Sequence, residues 1–256
     1  MAAFAVVVGI RTSSLRARAK AQEYVVAAGH RRTVTLRDGS RVFLAPESRL
    51  RVASDFGRDT RTVFLDGEAY VTVAHATGAP FIVQTGSIET RVLGTAFDIR
   101  RYPSDTAVHL ALVAGRVSVR NRRGAAQLAA GNVSVITDSS TVVLTGADVQ
   151  ASIAWTRDRL VFTDTPVPAL LTALGRWYGY HFELGDSALV RRYVTATFDV
   201  TKPAEAMAVL KGILGVTMTF DGDRVTLHAD PDTVHVIPPI RRKRPDFMPL
   251  TKEMGR

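Results

Sequence analysis

Between residues 33 and 144 the chain alternates short β-rich runs with turn residues, and this pattern limits its fold more than any other feature. In TVTL, RDGS, RVFL the pair Asp38-Gly39 stands between two strands, the chemistry of a hairpin turn. The runs RTVFL, EAYVTVA, PFIVQT, IETRVL, TAFDIRR, TAVHLAL, GRVSVR, VSVIT and TVVLT follow, with Gly, Asp or Asn between them. No segment in this stretch has a convincing amphipathic helical period. The predicted result is an all-β sandwich or a wound β structure.

After Trp155 the periodicity changes. Arg159 to Phe162 reads as a short strand, and Pro166 opens a segment in which Val167, Leu170, Leu171, Leu174 and Trp177 recur at helical spacing. Gly179 can end that helix. YHFEL and YVTATFDV read as strands, and Lys202-Pro203 opens a second helix with Ala206, Val209, Leu210, Ile213 and Leu214 on one face. Gly215 can close it before the hairpin VTMTF, DGD, RVTLH. The order strand, helix, strand, strand, helix, strand, strand predicts a small α+β domain with helices packed on a sheet. The chain as a whole is therefore expected to be mainly β, in two domains.

The 256 residues, 46% of them hydrophobic, suffice for two buried cores. The formal charge of +9 raises nucleic acid or an anionic surface as a partner, so its distribution matters. Residues 1 to 50 carry nine Lys/Arg against three Asp/Glu, and residues 238 to 256 carry six against two. The remainder, eighteen against nineteen, is nearly neutral. Basicity confined to the ends fits a solvated tail or membrane flank, and no nucleic-acid partner is expected. Cysteine is absent, which removes disulfides and thiolate chemistry but does not settle the compartment.

Residues 1 to 10 read MAAFAVVVGI, closed by Arg11, about half of the roughly twenty apolar residues that cross a bilayer as a helix. The simplest reading is the distal half of a transmembrane helix whose beginning is missing, the alternative being a disordered apolar terminus. Beyond Asp230, Pro231, Pro238 and Pro239 lead into IRRKRPDFMPLTKEMGR, which reads as a flexible basic tail. The expected organisation is a partial membrane helix and basic flank over 1–23, the all-β domain over 24–150, the α+β domain over 151–230 and the tail over 231–256.

Catalytic constellations are missing. There is no GxSxG elbow, Walker loop, GxGxxG after a strand or HExxH helix. His30, His75, His109, His181, His228 and His235 are scattered without metal-ligand spacing. Asp221 and Asp223 flank Gly222 in a turn, where Asp favours the backbone conformation. Gly94-Thr95 has no lysine and precedes a strand, unlike a phosphate loop. No catalytic, cofactor-binding or metal residue is expected, and the chain reads as a non-enzyme.

Residues 30 to 119 resemble the FecR domain. RRTVTLRDGSRVFLAPESRLRV is similar to its opening hairpin, FLDGEAYVTVAHATGAPFIVQT to its central stretch, and RVLGTAFDIRRY to its Leu-Gly-Thr-x-Phe-x-Val/Ile signature, with HLALVAGRVSVR after them. Residues 155 to 228 resemble the short domain that follows in these anti-sigma regulators, related to the secretin and TonB short N-terminal module. TRDRLVFTDTPVPALLTALGRWYGYHFEL matches its first half and VTATFDVTKPAEAMAVLKGILGVTMTF its second.

The resemblance implies a single-pass inner-membrane protein with its main body in the periplasm. Such proteins relay the state of an outer-membrane TonB-dependent transducer to an extracytoplasmic-function sigma factor by binding and coupling. Here the cytoplasmic segment that holds the sigma factor is missing, so that contact is expected only through an upstream extension. Arg11, Arg16, Arg18 and Lys20 stand against this orientation under the positive-inside rule. The partner expected for the part seen here is the transducer's signalling domain. An open sheet offers edge strands to a partner, and residues 193 to 200 are the candidate, with Tyr193, Thr195, Thr197 and Asp199 as protein-binding residues. The alternative is a periplasmic scaffold or envelope-assembly module with no sigma factor.

Overall fold

The computed structural model describes residues 21–57, 61–76, 78–230 and 247–249. The apolar run of residues 1 to 10, its basic flank and most of the tail lie outside the described residues. Among the described residues no helix is long and apolar enough to cross a membrane.

The first part is built of strands: β1 (Gln22–Val25), β2 (Arg32–Thr35), β3 (Arg41–Leu44), β4 (Arg49–Val52), β5 (Arg61–Thr72), β6 (Phe81–Thr85) and β7 (Ile88–Val92). After these come β8 (Ala96–Arg101), β9 (Val108–Ala114), β10 (Arg116–Asn121), β11 (Gly124–Ala129), β12 (Val133–Ile136) and β13 (Thr141–Leu144). The β2–β3 turn is the one expected: Ser40 donates its backbone N–H to Asp38 Oδ1 at 2.9 Å.

RTVFL and EAYVTVA, read as two strands, are one. Residues 61–66 of β5 pair with β4 and, in parallel, with β6, whereas residues 67–72 pair with β3 and β8. The strand changes sheets at Gly67, whose φ of +117° is a conformation other residues rarely adopt. It bends there without ending. Ser48 locks the bend from the side: its Oγ accepts from Glu68 N at 2.9 Å and donates to Glu68 O at 3.0 Å.

One sheet thus runs β11-β10-β7-β6-β5-β4-β1 and the other β2-β3-β5-β8-β9-β12-β13. Alternate residues of both point into one core, which holds Val42, Leu44, Leu65, Phe81, Phe97 and Leu112 among others. Each such side chain contributes about 1.5–3 kcal/mol on burial. Arg61, only 3% exposed, ties the hairpin to a neighbouring loop by donating to Asp38 Oδ2 at 3.0 Å, Ala74 O at 2.8 Å and Ala79 O at 3.0 Å.

A short helix α1 (Val149–Ser152) and a 3-10 turn (Ala154–Arg157) lead into the second part. It consists of β14 (Arg159–Pro166), α2 (Val167–Tyr178), β15 (His181–Leu184), β16 (Tyr193–Asp199), α3 (Pro203–Leu214), β17 (Val216–Asp221) and β18 (Arg224–Ala229). This is the expected order, but the strands make two small sheets, β14-β16 and β15-β18-β17. Each helix packs on a strand of both. All five apolar positions predicted for α2 are buried. On α3 the inward face is Ala206, Met207, Leu210 and Leu214, while Val209 and Ile213 are 41% and 37% exposed. The apolar band of α3 is wider than the core it meets, so sequence spacing alone placed the inward stripe slightly off. Within the stretch read as a tail, β19 (Phe247–Pro249) pairs antiparallel with β13.

A Cβ on residue 67 would lie 2.6 Å from Ser48 Cα, in addition to the backbone strain. Gly67→Ala should therefore cost about 1–3 kcal/mol or more of stability, read as a lowered midpoint in urea unfolding. An unchanged midpoint would show that β5 does not need this bend.

Candidate functional site

The bend in β5 sends Glu68 and Tyr70 to the outer face of the second sheet. Strand register then builds two rows across that face. One row is Phe43, Tyr70, Asp98, Ala111, and the next is Glu68, Arg100, His109. Aromatic and acidic groups so placed need a cover, and the second domain supplies it.

Trp155 stacks on Phe43, with ring centroids 5.0 Å apart, and its Nε1–H donates to Asp98 Oδ1 at 3.0 Å. Trp177, at the end of α2, lies against Trp155 at 5.8 Å. The Arg176 guanidinium sits 3.7 Å over the Tyr102 ring, and its Nε donates to Glu47 Oε2 at 3.2 Å. Arg31 pairs with Asp158 at 2.6 Å, and Gly29 donates its N–H to Arg176 O at 2.7 Å. The core of the second domain accordingly takes in Ala45, Phe43 and Tyr70 of the first. A cavity of about 550 Å³ adjoins this joint, lined by Asp98, Arg100, His109, Arg159 and Arg176 among others.

The electrostatics of the joint follow from burial. Asp98 is 4% exposed. Loss of water raises its pKa well above the usual carboxylate range, nearby Glu68 adds to the rise, and the Trp155 hydrogen bond and Arg100 offset part of it. Burial also raises Glu68, against the pull of Arg100 and Arg176. Burial, then Arg100, pushes the His109 imidazole down to about 4, so it is neutral at ordinary pH.

The four residues proposed from sequence lie on β16. Tyr193, Thr195 and Thr197 are exposed on its outer face, and Val194 and Phe198 are buried on the inner one. Among the described residues β16 pairs with β14 alone. Thr195 Oγ1 accepts from Asp164 N at 2.9 Å. Asp199 is engaged in the turn before α3, accepting from Thr201 N at 2.9 Å and Thr201 Oγ1 at 2.6 Å, and these bonds lower its pKa. Asp199 therefore has a local structural task in that turn.

Among the described residues no group of three or more His, Asp or Glu is gathered as metal ligands. The joint itself was not anticipated, because in TAFDIRR the alternation assigns Asp98 and Arg100 to solvent. A usable signal was present: Phe43 and Tyr70 occupy outward positions on their strands, where large aromatics need covering.

The described residues thus form a β domain seated against a smaller α+β domain. Residues 22–118 match the family model described as FecR protein, and residues 159–227 the model described as FecR, C-terminal. The chain belongs to the FecR family, which comprises anti-sigma regulators and is no known enzyme family. Two crystal structures of a candidate anti-sigma factor from Parabacteroides distasonis ATCC 8503 share this fold, each at 25% identity. One, at 2.50 Å resolution, has a TM-score of 0.74 and covers 82% of this chain and 99% of its own. The other, at 1.65 Å, has a TM-score of 0.73 and covers 81% and 99%. No protein of curated function matches the sequence. Family and neighbour together support an anti-sigma or signalling role.

Trp155→Phe keeps a ring on Phe43 but deletes the donor to Asp98. A buried acceptor that loses its partner costs about 1–3 kcal/mol. Urea unfolding at neutral pH should show a loss of that size, and a loss no larger than an exposed-site substitution gives would argue that the hydrogen bond contributes little.

Proposed function

We propose that this chain is the periplasmic part of a cell-surface signalling relay, binding the signalling domain of an outer-membrane TonB-dependent transducer and thereby controlling an extracytoplasmic-function sigma factor. The observation that carries this reading is the pair of consecutive FecR-family regions folded into one two-domain body. The apolar run at residues 1 to 10 supports an inner-membrane location for the protein. The resemblance of residues 155 to 228 to the short module of secretins and TonB-linked proteins supports the second domain as the docking unit.

A relay transmits only if its partner binds differently in two states. The edge at β16 suits such binding. From Tyr193 to Phe198 it is uncharged and rich in β-forming residues, with none of the charges or prolines that usually block strand addition. β14, by contrast, carries an irregularity between Phe162 and Thr165 and ends in Pro166. Docking there uses main-chain pairing for affinity and the outward Tyr193, Thr195 and Thr197 for selection.

The full chain should be retained by one immobilised transducer signalling domain from the source genome, and failure to bind any of them would sink the relay. A Thr195→Lys, Thr197→Lys double variant should weaken that binding about tenfold, roughly 1.4 kcal/mol. Equal affinity of variant and parent would leave the relay standing but remove β16 as its dock.

A further inference from the structure

Asp98 and Glu68 are diagonal neighbours on β8 and β5, since Asp98 lies opposite Tyr70 and Glu68 opposite Arg100. Diagonal pairs on one sheet face lie within reach of long side chains. Both carboxyls are under the seat of the second domain, and Asp98 holds that domain directly through the Trp155 indole.

The cations nearby offset the burial of the pair only in part: Arg100, opposite Glu68, acts on both carboxyls and Arg176 on Glu68, yet both groups stay raised. Arg176 is engaged with Glu47 and the Tyr102 ring. Arg100 leans to Asp105, with Nε 4.0 Å from Oδ2, and that buried Nε has no hydrogen-bond partner. From β9, His109 faces the pair as a neutral ring above about pH 4. Asp148, before α1, and Arg159, on β14, line the adjoining cavity. Tyr102, whose hydroxyl donates to Pro46 O at 3.0 Å, is held protonated by burial.

We propose that Asp98 and Glu68 form a proton-operated latch on the domain joint: while they hold a proton Trp155 stays seated, and when both are charged the second domain loosens from the sheet. The reason is that two adjacent carboxylates with little water and incomplete cation pairing repel each other where they must pack. Burial raises both groups above their values in the unfolded chain. Stability from such a group is fully present below its unfolded value and is lost as pH rises through the folded one. The joint is therefore tightest in acid and loosens toward alkaline pH, whichever partner the chain binds.

Both tryptophans of the chain, Trp155 and Trp177, lie in this joint, so intrinsic emission reports it directly. Titration of the full chain from about pH 5 to about pH 9 should move the emission to the red, with faster proteolytic cleavage near Ala147 to Asp158 at the alkaline end. Asp98→Asn, which can still accept from Trp155 but cannot charge, should stay blue and resistant throughout. Glu68→Gln leaves a single carboxyl that can charge, so it too should redden less than wild type over the same range. Circular dichroism checks that each variant is folded, and if Asp98→Asn is not, the Glu68→Gln profile decides. A wild-type emission that ignores pH, or a profile like wild type for either Asp98→Asn or Glu68→Gln, would overturn the latch.

Discussion

A single strand belongs to both sheets of the first domain, and the rest of the structure depends on how it bends. Were β5 straight, Glu68 and Tyr70 could not continue on the sheet that carries Asp98 and Arg100, and the face that seats the second domain would not exist. The bend requires a residue that tolerates φ of +117° and leaves room for Ser48, and glycine is that residue. Arg61 anchors the strand's beginning to the hairpin turn at Asp38, so a local turn signal is coupled to the placement of the longest strand.

The seat is held mainly by aromatic burial. Aromatic pairs add about 0.5–1.5 kcal/mol each beyond the area they bury, and Trp155 makes two such contacts. The ion pairs at the rim, Arg31 with Asp158 and Arg176 with Glu47, have at least one half-exposed partner. Pairs of that sort contribute about 0–1 kcal/mol. They fix orientation while the indole stack supplies most of the adhesion. Asp98 is the exception, a buried acid whose cost is tolerated because its acceptor holds Trp155 in one rotational setting.

Much of this was legible in the sequence where a signal is local. The Asp38-Gly39 hairpin, the five inward positions of α2 and the glycines that end both longer helices depend on near neighbours, and all appear as read. The continuity of β5 was not legible, because Asp66-Gly67 looks like a turn and only pairing with four other strands shows it to be a bend. Met207 displaced Val209 and Ile213 for a similar reason: α3 is apolar over a wider arc than its core requires, and tertiary packing chooses within that arc. Asp98 was invisible because alternation tells which face a residue occupies, not whether another domain lies on it. The candidate strand β16 could be proposed from β-propensity and lack of charge, but the turn-forming task of Asp199 depended on Thr201, a side chain outside the strand.

The proposed dock and the seat share one core. Val194 and Phe198, behind β16, pack in the same cluster as α2, and that cluster reaches Trp177, Trp155 and Phe43. A partner strand that shifts β16 therefore presses on the helix carrying Trp177. Contiguity by itself transmits nothing, because a close-packed core with one arrangement simply resists. What a relay needs is an element with two arrangements of similar free energy, and well-packed apolar contacts rarely provide one. In this molecule the place where packing and charge pull in opposite directions is the joint, where an indole rests on a carboxyl that water would rather hold. Opposed terms of comparable size are what make an interface responsive to a small input, so a change at β16 has its best opportunity to be felt at Asp98.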